Sequence, residues 1–185
     1  HRDLHSFPTR RSSDLHDVAT GLVKIVLVVD DSIKYYSMFL PVIYKEVMDQ
    51  THRLIMEGLN EVQKLTRMRT RPKILLVSNF EDAIEIFNRH QLDIIGIISD
   101  ISFPKENQLH DTAGFDFARY VRSIFFDLPI ILMSSDNHNQ ELAEEFGISY
   151  VNKNSQTFHS DLRTFIVQNL GFGDFIFRHA NGKEV

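Results

Sequence analysis

Short apolar runs recur along the chain, with stretches of helical periodicity between them. The runs are Lys24 to Val29, Ile74 to Val77, Ile94 to Ser99, Pro129 to Met133 and the brief Ser149 to Val151. The first four are rich in Val, Ile or Leu, are too short for helices and lack polar alternation, which predicts strands buried on both faces. Between them, apolar residues fall at helical spacing. They are Ile33, Tyr36, Phe39, Leu40, Ile43 and Val47, continuing through Leu54, Ile55, Leu59, Val62 and Leu65; then Ala83, Ile84 and Phe87; Phe117, Tyr120 and Val121; Leu142, Ala143 and Phe146; and Leu162, Phe165, Ile166 and Leu170. Ser32 and Asn79 stand as N-caps, with Asp82 three residues after Asn79, and Gly147 is placed to stop the fourth helix. Strands alternating with helices predict an α/β fold, a doubly wound five-stranded parallel sheet with helices on both faces.

The first helical pattern is too long for an ordinary globular helix. Pro41 should kink it and Gly58 should weaken it, so one kinked helix or two successive helices are expected. The extension from about residue 48 to 68 is expected to project beyond the sheet. It would either pack on the domain's own surface or face a neighbouring domain or subunit.

The ends read differently. Residues 1–15, HRDLHSFPTRRSSDL, have no periodicity and closely resemble the translation of a common sequencing-library adapter. They are set aside as an artefact, and 16–23 as a lead-in. Arg10 and Arg11 have no apolar segment after them, as an export signal would require. Phe175 to Arg178 reads as a strand running into an Asn181-Gly182 turn, so the sequence is expected to break off inside an element, with 171–185 a linker or the start of another region.

Composition narrows the chemistry. With no Cys, a disulfide framework, a thiolate nucleophile and a zinc-thiolate site are all excluded. The net charge of −5 gives no nucleic-acid footprint, and no apolar run approaches the roughly 20 residues of a membrane span. His90, His110, His138 and His159 show no ligand spacing and are expected at the surface or in loops.

The strand ends carry the candidate chemistry. Strand one ends in Asp30 and Asp31, strand three in Asp100, strand four in Ser134, and strand five runs to Lys153. In a parallel sheet all these ends lie on one edge, where open α/β sheets bind ligands. Taken alone, Asp30 and Asp31 fit either a cation site or a solvated turn capping the next helix. Three carboxylates on one edge suit Mg²⁺, a hard cation that takes oxygen ligands. A lysine and a hydroxyl on the opposite rim could hold phosphoryl oxygens, and a central carboxylate can attack phosphorus.

From Lys24 to about Leu170 the chain resembles a response-regulator receiver domain. The resemblance rests on VDDS at Val29 to Ser32, DISFP at Asp100 to Pro104, MSS at Met133 to Ser135 and YVNK at Tyr150 to Lys153. It implies a flavodoxin-like sheet of receiver type. It also implies Mg²⁺ at Asp30, Asp31 and Asp100 with the backbone carbonyl of Ser102, and Asp100 as phosphoacceptor. Lys153 would be the conserved lysine of that family, with Ser134 and Tyr150 as switch residues. Implied partners are a histidine kinase or histidine phosphotransfer donor and an adjoining domain of the same chain. A homodimer through the long first helix is a further arrangement; the setting is cytoplasmic, with neither nucleic acid nor membrane as partner. Two departures stand out. Asn154 follows Lys153 where the family usually has proline, and the segment between Pro104 and Gly114 is longer than usual and overhangs the acceptor.

A narrower resemblance uses the long first helix, the run Arg67 to Ala83, KNS at Lys153 to Ser155 and LGFGDFIFR at Leu170 to Arg178. These are similar to the receiver-like N-terminal region of bacterial phosphoenolpyruvate synthase and pyruvate phosphate dikinase-related proteins. This region would then be a regulatory module, not itself an enzyme. Two other readings stay open. One is a pseudo-receiver that mediates contacts without phosphotransfer. The other is a Mg²⁺-dependent phosphohydrolase, disfavoured because its nucleophile would be wanted in an Asp-x-Asp arrangement on strand one.

Overall fold

The computed structural model describes residues 23–56 and 71–170. Five strands form one parallel sheet: β1 (Ile25–Val29), β2 (Lys73–Val77), β3 (Ile94–Asp100), β6 (Ile130–Ser134) and β7 (Ser149–Asn152). Their order is β2-β1-β3-β6-β7. The expected fold class is therefore the observed one. Two further short strands, β4 (Phe103–Lys105) and β5 (Gln108–His110), pair antiparallel as a separate hairpin.

β1 explains the central position of the first apolar run. All five of its residues are fully buried, and fully burying such side chains contributes about 1.5–3 kcal/mol each. Ile25, Leu27 and Val29 face a core shared with α2 (Phe80–His90), α3 (Ala113–Ile124) and Ala143 of α4 (His138–Glu145). Val26 and Val28 face the other core, filled by α1 (Ile33–Met56) and α5 (Phe158–Asn169).

α1 runs unbroken through Pro41 from Ile33 to Met56. Glu46 and Val47 are buried, and in the described part of the expected extension Gln50 and Thr51 are buried while His52, Arg53 and Met56 are exposed. Glu46 pairs with Arg163 of α5 at 2.9 Å, and Phe39 meets Phe158 edge-on. The expected extension beyond Met56, including Gly58, lies outside the described residues, as do the adapter-like segment, the lead-in up to residue 22 and the tail from 171.

Several local expectations hold for the stated reasons. The Asn79 side chain accepts from the Asp82 N–H at 2.8 Å. Gly147 ends α4 with φ +62°. Others need correction. α2 buries Ile86 with Ala83 and Phe87, while Ile84 is only half-buried. On α4 only Ala143 is buried, and Leu142 and Phe146 are left partly open. His90 is buried, not at the surface: it closes α2 against the core with its Nε2 unpartnered, and burial holds its pKa below the usual value.

Candidate functional site

Each strand end reaches the edge because of what the next residues do. After β1 the chain turns at Asp30, whose N–H donates to Val77 at 3.0 Å and whose Oδ1 accepts from the Ser32 N–H at 2.8 Å. That turn starts α1 and leaves Asp31 exposed at the rim, while Asp30 is fully buried. At the end of β3, Asp100 Oδ1 accepts from the Ile101 N–H at 2.7 Å, and the residue is 9% exposed. α3 begins directly against this strand end. Gly114 donates its N–H to Ile101 at 2.8 Å, and a Cβ at position 114 would stand 2.3 Å from the Asp100 carbonyl oxygen. Only glycine fits there.

These ends bring carboxylate oxygens of Asp30, Asp31 and Asp100 within 4.8 Å of one another. Lys153 is not on an opposite rim, as the sequence had suggested. Its Nζ lies between the acids, 2.8 Å from Asp30 Oδ2 and 2.7 Å from Asp100 Oδ2, with its side chain 2% exposed. It also sits 4.3 Å from the centre of the Tyr35 ring, on the first turn of α1. Desolvation raises the carboxyl of Asp30, with Lys153 pulling it back down. Desolvation also raises Asp31, and the charge of Asp100 adds to it.

Beside this clamp, where the Ser134 carbonyl accepts from the Lys153 N–H at 2.8 Å, the hydroxyls make neutral hydrogen bonds. Ser134 Oγ accepts from the Asp136 N–H at 3.1 Å and from Asn139 Nδ2 at 3.0 Å. The Tyr150 hydroxyl donates to the Asp136 carbonyl at 2.7 Å, and desolvation raises its pKa. Ser134 and Tyr150 thus neighbour each other through Asp136. Ser102, half-buried, leads from β3 into the β4–β5 hairpin.

Asn154, in place of the expected proline, has a structural use. Its N–H donates to Asn152 Oδ1 at 2.6 Å, a bond proline could not make. The overhanging segment is the β4–β5 hairpin. Its tip residues Glu106 and Asn107 both adopt left-handed φ values. It is held by Lys105 to Asp116 at 2.8 Å and by the Glu106 N–H to Glu81 at 2.8 Å.

Two contributors escaped the sequence reading. Tyr35 could have been found by its place one turn into the helix that follows Asp31. Gly114 could have been found as a glycine at a helix start, where nothing local favours one.

No family profile and no curated protein matches the chain. Solved structures do. A response regulator receiver domain protein from Clostridium thermocellum superimposes with a TM-score of 0.56 at 17% identity, covering 80% of this chain and 94% of that one. The chain has the receiver fold. The bacteriophytochrome response regulator RtBRR agrees, with a TM-score of 0.55 at 15% identity over 85% of this chain and 84% of its own. The receiver fold explains why the acids, the hydroxyl and the lysine share one edge. The comparisons give no support to the narrower resemblance to phosphoenolpyruvate synthase-related proteins.

Proposed function

We propose that this region is a phosphoaccepting regulatory domain, with Asp100 as acceptor. The observation that carries the reading is Lys153 Nζ bridging Asp30 and Asp100 beside Asp31. Three carboxylates against one ammonium leave a charge of −2 when all are ionised, which one divalent cation would neutralise. The donors are all carboxylate oxygens, so the set fits Mg²⁺. Asp30, Asp31 and Asp100 would hold it, with the Ser102 carbonyl as a further candidate. Bound there, the ion would neutralise charge on phosphoryl oxygens.

The chain's own groups do the rest. Asp100 forms a bond from a carboxylate oxygen to phosphorus as the P–N bond of a phosphohistidine donor breaks, and the imidazole keeps the electron pair. The bond from the Ile101 N–H fixes Oδ1 of Asp100, which orients the carboxylate. Lys153 is in place to neutralise charge on a phosphoryl oxygen. Both bonds at Ser134 Oγ use it as acceptor, so its proton is available to the phosphoryl group. That would draw Ser134 from Asp136 and free Tyr150 to turn inward, biasing a two-state surface. The partners are then a histidine-containing donor and whatever domain reads that surface.

The test is acetyl phosphate with Mg²⁺, read by mass spectrometry, with beryllofluoride and Mg²⁺ as a phosphoryl mimic read by NMR. One phosphoryl adduct on Asp100 is expected, absent in Asp100→Asn. No adduct on the wild-type protein would sink the reading. The clamped Lys153 favours a second reading, a pseudo-receiver whose acids are retained as an interaction module. Its mark would be an acidic pocket with no measurable Mg²⁺ affinity by calorimetry.

No helix among the described residues is long and apolar enough to cross a membrane. A cytoplasmic setting and the phosphoenolpyruvate synthase-like context rest on sequence resemblance. An open reading frame running past Val185 into a dikinase-type region would support that context.

A further inference from the structure

Tyr35 packs its half-buried ring against the same ammonium that joins Asp30 and Asp100. A lysine ammonium carries three N–H donors. Asp30 and Asp100 engage Lys153 Nζ at 2.8 and 2.7 Å, and the ring, 4.3 Å away at its centre, is the third group placed against it. On the phosphoaccepting reading, a cation held by Asp30 and the new bond at Asp100 would compete with Lys153 for those carboxylates. Its ion pairs would then weaken at the step that needs the lysine. The ring face offers no oxygen to a cation or to phosphorus, so its attraction to the ammonium persists through that step.

We propose that Tyr35 is a positioning residue for Lys153, its ring face seating the ammonium beside Asp100 while the carboxylates change partners. The geometry stands on the observed contact, and the consequence for rate rests on the phosphoaccepting reading above. Tyr35 also packs against the core shared by α1 and α5, so the experiment must separate an aromatic face from an apolar filler.

Tyr35→Phe keeps the ring face; Tyr35→Leu keeps apolar bulk without it. Tyr35→Met replaces the Leu variant should that one melt early. In the full chain without metal, Lys153 is labelled with an amine-reactive ester and followed by mass spectrometry. Labelling should be slow in the wild type and Tyr35→Phe, and about tenfold faster in Tyr35→Leu. With Mg²⁺ and acetyl phosphate, the initial phosphorylation rate should fall by about the same factor in Tyr35→Leu only. A Leu variant equal to wild type in both readouts overturns the proposal, and so does a Phe variant as impaired as Leu. If labelling shifts as expected while the wild-type protein accepts no phosphoryl group, the seat stands and the phosphoaccepting reading falls.

Discussion

On one side of the pocket, Lys153 reaches back across 123 residues of sequence to Asp30. Beside it, the side-chain hydroxyls of Ser134 and Tyr150 bond to groups no more than 16 residues away. The first side exists only when the whole sheet is assembled, and it consists of buried charges that satisfy one another. The second consists of neutral hydrogen bonds within one strand–helix–strand unit. Buried charges are costly to leave unpaired, whereas a neutral hydroxyl whose partners lie toward the surface can exchange one for another at little cost. The charged side is therefore suited to holding still, and the neutral side to moving.

Lys153→Met should break this contrast hardest. It strands Asp30 and Asp100 without a counter-charge, and losses from breaking one partner of a buried pair run to about 3–5 kcal/mol. Urea unfolding without metal would measure it. Asp30 is already raised above 3.8 by desolvation with Lys153 present. A raised carboxyl binds more protons folded than unfolded, so its contribution is full at low pH and lost as pH rises through the folded value. Without Lys153 the carboxyl rises further. The deficit of the variant should thus be largest at neutral pH and shrink on acidification.

Gly114→Ala should come next. The new methyl meets the Asp100 backbone, which cannot step aside as a flexible side chain would. Overpacking of this kind costs about 1–3 kcal/mol. A thermal melt would read the cost, and a shifted Ile101 amide resonance would show that the strand end has moved.

Ser134→Ala should change stability least, by about 1 kcal/mol or less, because the Asp136 and Asn139 donors it deserts lie where water can reach them. On the proposed reading, its effect appears instead as a Tyr150 ring that no longer changes environment with beryllofluoride, visible by NMR. A large stability loss in Ser134→Ala, or a small one in Lys153→Met, would dissolve the distinction between the two sides.

The sheet was legible because each strand is a compact apolar run, and four strand ends carried a polar group that marks the edge. Position at an edge fixes neighbourhood, but not how far a side chain reaches. Lys153 was therefore expected across the pocket and lies inside it. The β4–β5 hairpin went unseen because Glu106-Asn107 is not among the strongest turn pairs, which place glycine second. His90 was placed at the surface by residue type, and the helix end it closes buries it. Tyr35 offered no pattern of its own; its neighbour Tyr36 fell on the periodic face.

Gly114 has a mechanical meaning as well. With no side chain between them, the first turn of α3 rests on the peptide of Asp100 itself, and its N–H is bonded to the next carbonyl. Strand end and helix are coupled like two parts of one lever. A displacement of that peptide would be transmitted to α3 by hard contact, with no rotamer in between to absorb it.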